Sequence, residues 1–149
     1  MQENRSWSLL PFSNLSTTPR AEAQLAELVE MSMRSRGIRN IKVYKPSQPE
    51  SLRSLFDDSA QMRVAAQWAR KESSDYALTG VVHEWQYRSG ADKEPTVGVT
   101  LKLLDVSTGQ VMWQGNAAKT GAGFTNLSKV ASQLVNELLS GISIADAPR

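Results

Sequence analysis

The second half of the chain changes its hydrophobic period, and this change limits the possible folds more than any other feature. Within residues 97–103, apolar side chains alternate with Thr100 and Lys102, which predicts a strand with one apolar and one wet face. A tight turn at Ser107–Gln110 follows, and then a third alternating segment. The pattern predicts a β-meander. Its three strands span residues 76–87, 96–106 and 110–119.

Helical spacing of apolar residues precedes the meander. Thr18 and Pro19 suit the N-cap and first position of a helix, which Gly37 would end. The segment Asp58–Gln61 resembles a capping box, so a second helix is expected over residues 59–71. Residues 50–57 are compatible with a further short helix.

A third helix follows the meander and has the clearest amphipathic pattern of the chain. Thr125 is its predicted N-cap, and Gly141 ends it. Leu134 and Leu138 are expected to lie under the sheet. Seven apolar residues form the predicted inner face: Leu127, Val130, Ala131, Leu134, Val135, Leu138 and Leu139.

Two shorter strands complete the pattern, residues 7–12 and 41–44. The element order is then βαβαβββα, which predicts an α/β fold with a single mixed β-sheet and packed helices. A length of 149 residues suits one compact domain. We therefore expect residues 1–149 to form one domain, with residues 1–6 and 143–149 as loose termini.

Composition argues against several kinds of chemistry. The chain has no cysteine, and His83 is its one histidine, on a predicted strand where Glu84 faces the other way. No catalytic residue, metal site or cofactor is expected, because the acidic pair Asp57–Asp58 fits a helix start without a metal. Gly121–Phe124 lacks the spacing of a phosphate-binding loop. With 17 basic and 15 acidic residues, the chain has no basic stripe suited to nucleic acid.

Three aromatic residues lie near predicted loops rather than within the predicted core. Trp85 and Tyr87 stand at the mouth of a charged hairpin, and Phe124 follows two glycines. Exposed aromatic residues at loop tips mark membrane or partner contacts. The alternative is that they cover the end of the sheet. For Phe124, folding back onto the fourth helical position would bring it to Lys129, a poor apolar partner.

Two segments of the sequence resemble a known family. The opening segment at residues 7–19, WSLLPFSNLSTTP, and the hairpin at residues 82–92, VHEWQYRSGAD, are similar to those of PelC, an outer-membrane lipoprotein family of the Pel exopolysaccharide export system. A third segment at residues 104–113, LDVSTGQVMW, resembles a turn shared by periplasmic domains of CsgG, LpoB and TolB. The resemblance extends over nearly the whole chain.

The resemblance implies a non-enzymatic subunit of a large ring, dodecameric in PelC-like proteins, on the inner leaflet of the outer membrane. The implied partners are further copies of the chain, the export porin PelB, a cationic polysaccharide in transit and the membrane, through an N-terminal lipid anchor that these residues do not include. An acidic surface would guide the polymer, although the net charge is +2. The candidates are Glu84, Asp92, Glu94 and Asp105.

Two alternatives remain open from the sequence. Each of the four acidic residues also fits an ordinary solvated charge at the end of a strand. The chain also fits a monomeric periplasmic regulator of the LpoB kind, which binds and activates an envelope enzyme. A mass measurement separates a ring from such a regulator.

Overall fold

The computed structural model describes residues 5–45, 58–90 and 93–142. Within them, the predicted order of strands and helices is confirmed, with one additional short strand. The short helix expected at residues 50–57 lies outside the described residues. The strands are β1 (Trp7–Leu9), β2 (Ser13–Asn14), β3 (Ile41–Val43), β4 (Tyr76–Tyr87), β5 (Pro95–Asp105) and β6 (Val111–Thr120). The helices are α1 (Ala21–Ser35), α2 (Asp58–Lys71) and α3 (Leu127–Ser140).

The described strands form one mixed sheet in the order β3-β1-β4-β5-β6, with β2 also paired to β4. β1 runs parallel to both β3 and β4, whereas β4, β5 and β6 form the antiparallel meander. The strand predicted over residues 7–12 is divided into β1 and β2. Pro11 explains this break because it has no N–H to donate, and its carbonyl accepts from the Thr79 hydroxyl at 2.6 Å.

The helices pack on both faces of the sheet. α1 and α3 cover one face and enclose the main apolar core, which includes the fully buried Trp7, Leu25 and Leu134. α2 covers part of the opposite face through a smaller cluster centred on Ala65 and Ala69. The predicted positions of Leu134 and Leu138 under the sheet are confirmed.

The starts of α1 and α3 differ from the predicted ones. α1 begins at Ala21, after Arg20 in a left-handed conformation (φ 62°), and no side chain caps it. Thr18 instead donates its hydroxyl to the carbonyl of Trp85. The N-cap of α3 is Asn126 rather than Thr125, because the Asn126 side chain accepts from the backbone N–H of Lys129 at 2.8 Å.

The predicted loose N-terminus does not extend to residue 6. The backbone N–H of Ser6 donates to the Asp75 carboxylate at 2.9 Å, and Arg5 lies 3.8 Å from the same carboxylate. These contacts anchor the start of β1 beside the start of β4.

Candidate functional surface

A bulge in β4 determines the position of Trp85. Val82 pairs with Val99 and Glu84 with Gly98, so His83 is an extra residue in the strand. A bulge interrupts the alternation of side chains. Val82 and Trp85 therefore both point into the main core, and Trp85 is only 2% exposed. The expectation that Trp85 contacts a membrane or a partner is wrong for this reason.

Phe124 projects from the turn between β6 and α3. Its side chain is 91% exposed, so it does not fold back onto the helix. The turn is anchored where it leaves the sheet, since the Gly121 N–H donates to the Pro95 carbonyl at 2.9 Å. A Cβ atom on Gly121 would lie 2.5 Å from the Val130 side chain, so only glycine allows this close approach. The Thr125 hydroxyl closes the turn by donating to the Ala122 carbonyl at 2.6 Å.

Tyr87 joins the hairpin to the same turn. Its side chain is half exposed, and its hydroxyl oxygen accepts a hydrogen bond from the Leu127 N–H at 3.0 Å. This N–H lies in the first turn of α3, where backbone donors have no partner within the helix. Tyr87 thus stabilises the helix start while leaving half of its ring accessible to water or to a partner.

Leu15 is an exposed apolar residue that the sequence reasoning missed. It follows β2, its N–H donates to the Val82 carbonyl at 2.8 Å, and its side chain is 69% exposed. A leucine within the polar loop at residues 13–18 was the available signal. Leu15 lies on the other side of β4 from the Phe124 turn. We call Leu15, Tyr87 and Phe124 together the hairpin-end surface, because all three lie towards the carboxyl end of β4.

The four acidic candidates do not form one cluster. Glu84 and Glu94 are half-buried residues near the hairpin end, and Asp92 lies outside the described residues. Asp105 ends the eleven-residue strand β5, whereas Glu94 precedes it. An extended strand of that length places them about 35 Å apart. Asp105 is therefore not a neighbour of Glu94 at the hairpin end, which corrects that part of the prediction.

Asp105 instead organises the turn between β5 and β6. Its carboxylate accepts from the Ser107 hydroxyl at 2.7 Å and from the Ser107 N–H at 2.9 Å. The Thr108 N–H adds a third bond at 3.3 Å. The bond from the Ser107 hydroxyl is the largest cause that holds the pKa of Asp105 below its ordinary value.

His83 makes a polar chain across the sheet face opposite α3. The Thr100 hydroxyl donates to the Asn116 side-chain oxygen at 2.6 Å, so its single proton is already used. The Nε2 atom of His83, 2.8 Å from the Thr100 hydroxyl, is therefore the donor rather than a base that activates it. Thr100, predicted to face water, is 6% exposed because these neighbours cover it.

The described residues offer neither a cluster of metal ligands nor a membrane-spanning helix. Residues 5–45, 58–90 and 93–142 contain no group of three or more histidine, aspartate and glutamate side chains that could hold a metal ion. In those ranges, the helices are too short or too polar to cross a membrane.

Comparison with known proteins found one matching family model and several similar solved structures. The family described as peptidoglycan-synthase activator LpoB matches residues 22–118, about two thirds of the chain. The PelC dodecamer from Paraburkholderia phytofirmans is 29% identical, with a TM-score of 0.77 over 94% of this chain and 89% of that one. A variant of the same PelC dodecamer is 30% identical, with a TM-score of 0.78 over 94% and 90%. This chain belongs to the family of LpoB and PelC.

A more distant structure shares the fold. The lipoprotein GNA1162 from Neisseria meningitidis is 16% identical, with a TM-score of 0.63 over 95% of this chain and 99% of that one. This similarity supports the mixed sheet and its helices, and nothing about activity. A search of curated protein sequences found no match.

Proposed function

We propose that this protein is a non-enzymatic subunit of a homo-oligomeric ring that guides exopolysaccharide export beneath an outer-membrane porin. The observation that carries the proposal is the similarity to PelC dodecamers at 29–30% identity over 94% of the chain. His83 is held in a chain of side-chain hydrogen bonds with Thr100 and Asn116, which gives it a structural role in the sheet.

In this proposal the ring stands in the periplasm, attached to the inner leaflet of the outer membrane by an N-terminal lipid. The hairpin-end surface faces the membrane or the porin PelB, because Phe124 and Leu15 expose large apolar side chains there. Glu84 and Glu94, with Asp92 between them in the sequence, supply negative charge for a cationic polysaccharide. Trp85 makes no contact in this proposal, and it contributes only through its packing in the core beneath the surface.

The test combines a mass measurement with an export assay in cells. We expect light scattering to give a mass many times the 16.4 kDa of the chain. Phe124→Glu should retain the fold, melting temperature and assembled mass of the wild type, and should abolish polymer export. Phe124→Leu is the matched control and should still export, since it keeps an apolar side chain at the same position.

Three outcomes contradict this reading. A wild type that is monomeric both in solution and after crosslinking in cells rules out the ring. Unfolding of Phe124→Glu would show that the aromatic side chain of Phe124 supports the core. Normal export by a folded Phe124→Glu would remove Phe124 from the proposed contact.

The family match to a peptidoglycan-synthase activator favours a second candidate function. In that function the protein is a monomeric periplasmic regulator that binds and activates a cell-wall enzyme. It predicts a mass of one chain, together with a rise in peptidoglycan synthase activity when the purified protein is added. An assembled mass without any such stimulation contradicts it.

A further inference from the structure

β6 forms one edge of the sheet and lacks the usual protection of an edge strand. Natural edge strands are kept from pairing by short length, proline, charge or bulges. β6 is ten residues long and contains no proline. Its one charged residue, Lys119, is paired with Glu137 of α3 at 2.7 Å. The only register shift lies at the start of the strand, opposite Leu103 and Leu104.

The pairing with β5 defines which backbone groups of β6 remain free. The Gly121 N–H donates to the Pro95 carbonyl, so these two residues form a hydrogen-bonded pair. Such pairs alternate along an antiparallel ladder. The backbone groups of Lys119 and Ala117 therefore point towards β5, and those of Ala118 point away from the sheet.

Side-chain contacts support the same assignment. Thr96 and Thr120 hydroxyls lie 3.1 Å apart, and Thr100 bonds directly to Asn116. Facing side chains come closer in pairs that lack backbone bonds to each other. Between Trp113 and Thr120, the residues with outward backbone groups are Gln114, Asn116, Ala118 and Thr120.

We propose that this free edge of β6 pairs with an extended segment of a second copy of the chain. It would form one of the two unlike surfaces that join neighbouring subunits. The inference rests on the proposed ring. A head-to-tail ring needs two different surfaces on each subunit, and a strand edge supplies hydrogen bonds in a fixed register.

A second copy fits this edge better than a charged partner does. From Val111 to Ala118 the strand carries no charge, so neither attraction to an acidic or basic peptide nor repulsion between copies arises there. The other outer strand of the main sheet order, β3, has only three residues. β6 is thus the longer continuous edge for contact between the copies of an assembly like the PelC dodecamers.

The decisive variant is Ala118→Pro. Proline is tolerated in an edge strand where its nitrogen faces outward, so the fold should persist. The variant removes one outward donor and obstructs an added strand. We expect the wild type to assemble and Ala118→Pro to run as a single 16.4 kDa chain with unchanged circular dichroism. Ala118→Thr, which keeps the N–H and suits a strand, should assemble like the wild type.

A second variant and a second measurement cover the case in which the proline disturbs folding. Ala118→Lys keeps the backbone donor, adds a charge at the edge and should also prevent assembly. Hydrogen exchange then compares the assembled wild type with this monomer. The outward amides of Asn116 and Ala118 should exchange at least about tenfold slower in the assembly. The inward amides of Ala117 and Lys119 should show no comparable difference.

The outcomes separate this inference from the proposed function. If the wild type assembles and both Ala118→Pro and Ala118→Lys keep the same assembled mass, β6 has no role in assembly, and the proposed ring still stands. A wild type that forms only a dimer through β6 overturns the edge as a ring contact. A monomeric wild type, whose outward amides exchange as fast as those of Ala118→Lys, contradicts the proposed ring itself.

Discussion

Replacing Leu134 with alanine tests the packing of α3 against the sheet. Leu134 is 1% exposed and belongs to the main core beneath the meander. Alanine has the higher helix propensity, so the substitution does not weaken the helix itself. Any loss of stability therefore reports the contacts between this side chain and the strands.

The expected magnitude follows from the burial. Leu→Ala removes three carbon atoms, each worth about 0.8 kcal/mol when fully buried, which gives a transfer loss slightly above about 2 kcal/mol. Strands and helices that cannot collapse into the space add a cavity cost on the order of 1–2 kcal/mol. We expect the free energy of unfolding to fall by about 3–4 kcal/mol. Leu138→Ala, at a slightly more exposed site, should cost about 2–4 kcal/mol.

Urea unfolding followed by circular dichroism measures this loss. Gln133→Ala is the matched control, because Gln133 is the exposed neighbour on the same helix and should change stability by less than about 0.5 kcal/mol. Wild type and variants must be compared in the same state of assembly, since association adds stability. A loss below about 0.5 kcal/mol for Leu134→Ala would refute the packing of α3 on the sheet.

Four further changes test single residues in the hairpin, at the start of α3 and in the two turns that flank β6. Tyr87→Phe removes the acceptor of the Leu127 N–H and should lower the free energy of unfolding by about 0.5–1.5 kcal/mol, whereas an unchanged value would contradict its role at the helix start. Asn126→Ala removes the N-cap of α3 and should cost about 1 kcal/mol in urea unfolding, whereas Asn126→Ser should cost less. Gly121→Ala should cost about 1–3 kcal/mol in the same assay, because the added carbon lies 2.5 Å from a neighbouring side chain. Since the folded pKa of Asp105 lies below its ordinary value of 3.8, its contribution to stability is present above pH 3.8 and is lost as the pH falls through the lower folded value. The stability difference between wild type and Asp105→Asn should therefore shrink on acidification below that pH, and a difference that grows would contradict this sign.

Local periodicity was sufficient to predict the meander and α3. The alternation in residues 97–103 and the spacing from Leu127 to Leu139 correspond to β5 and the buried face of α3. α3 buries one face, so its sequence pattern directly records its environment. In β5 the alternation identifies the apolar face that meets the main core, although Thr100 on the opposite face is buried as well. The division of the first strand at Pro11 was harder to predict, because β2 depends on a partner strand far along the chain.

The predicted helix starts were displaced by tertiary contacts. Thr18 has the chemistry of an N-cap, but its hydroxyl bonds to the carbonyl of Trp85 in the sheet. Thr125 and Asn126 are both good caps, and the turn selects Asn126 because Thr125 bonds back to Ala122. Sequence identifies such residues as candidates, whereas the fold determines which one caps the helix.

The predictions for the candidate surface differed in success for similar reasons. The exposure of Phe124 followed from the glycine turn that carries it. Trp85 was assigned incorrectly because a single extra residue at His83 reverses the side-chain pattern and is invisible to simple alternation. Asp105 was grouped with Glu94 although the length of β5 places them at opposite ends of the sheet.

The position of β1 has a consequence for the order of folding. Its two neighbours, β3 and β4, are both parallel to it and are reached only through long connections, whereas the meander pairs through short turns. Contacts between distant residues form slowly, because a large loop must close before they are made. We expect the meander to form first and the burial of Trp7 to come last. Refolding should then show early protection of β5 amides and late protection of those in β1.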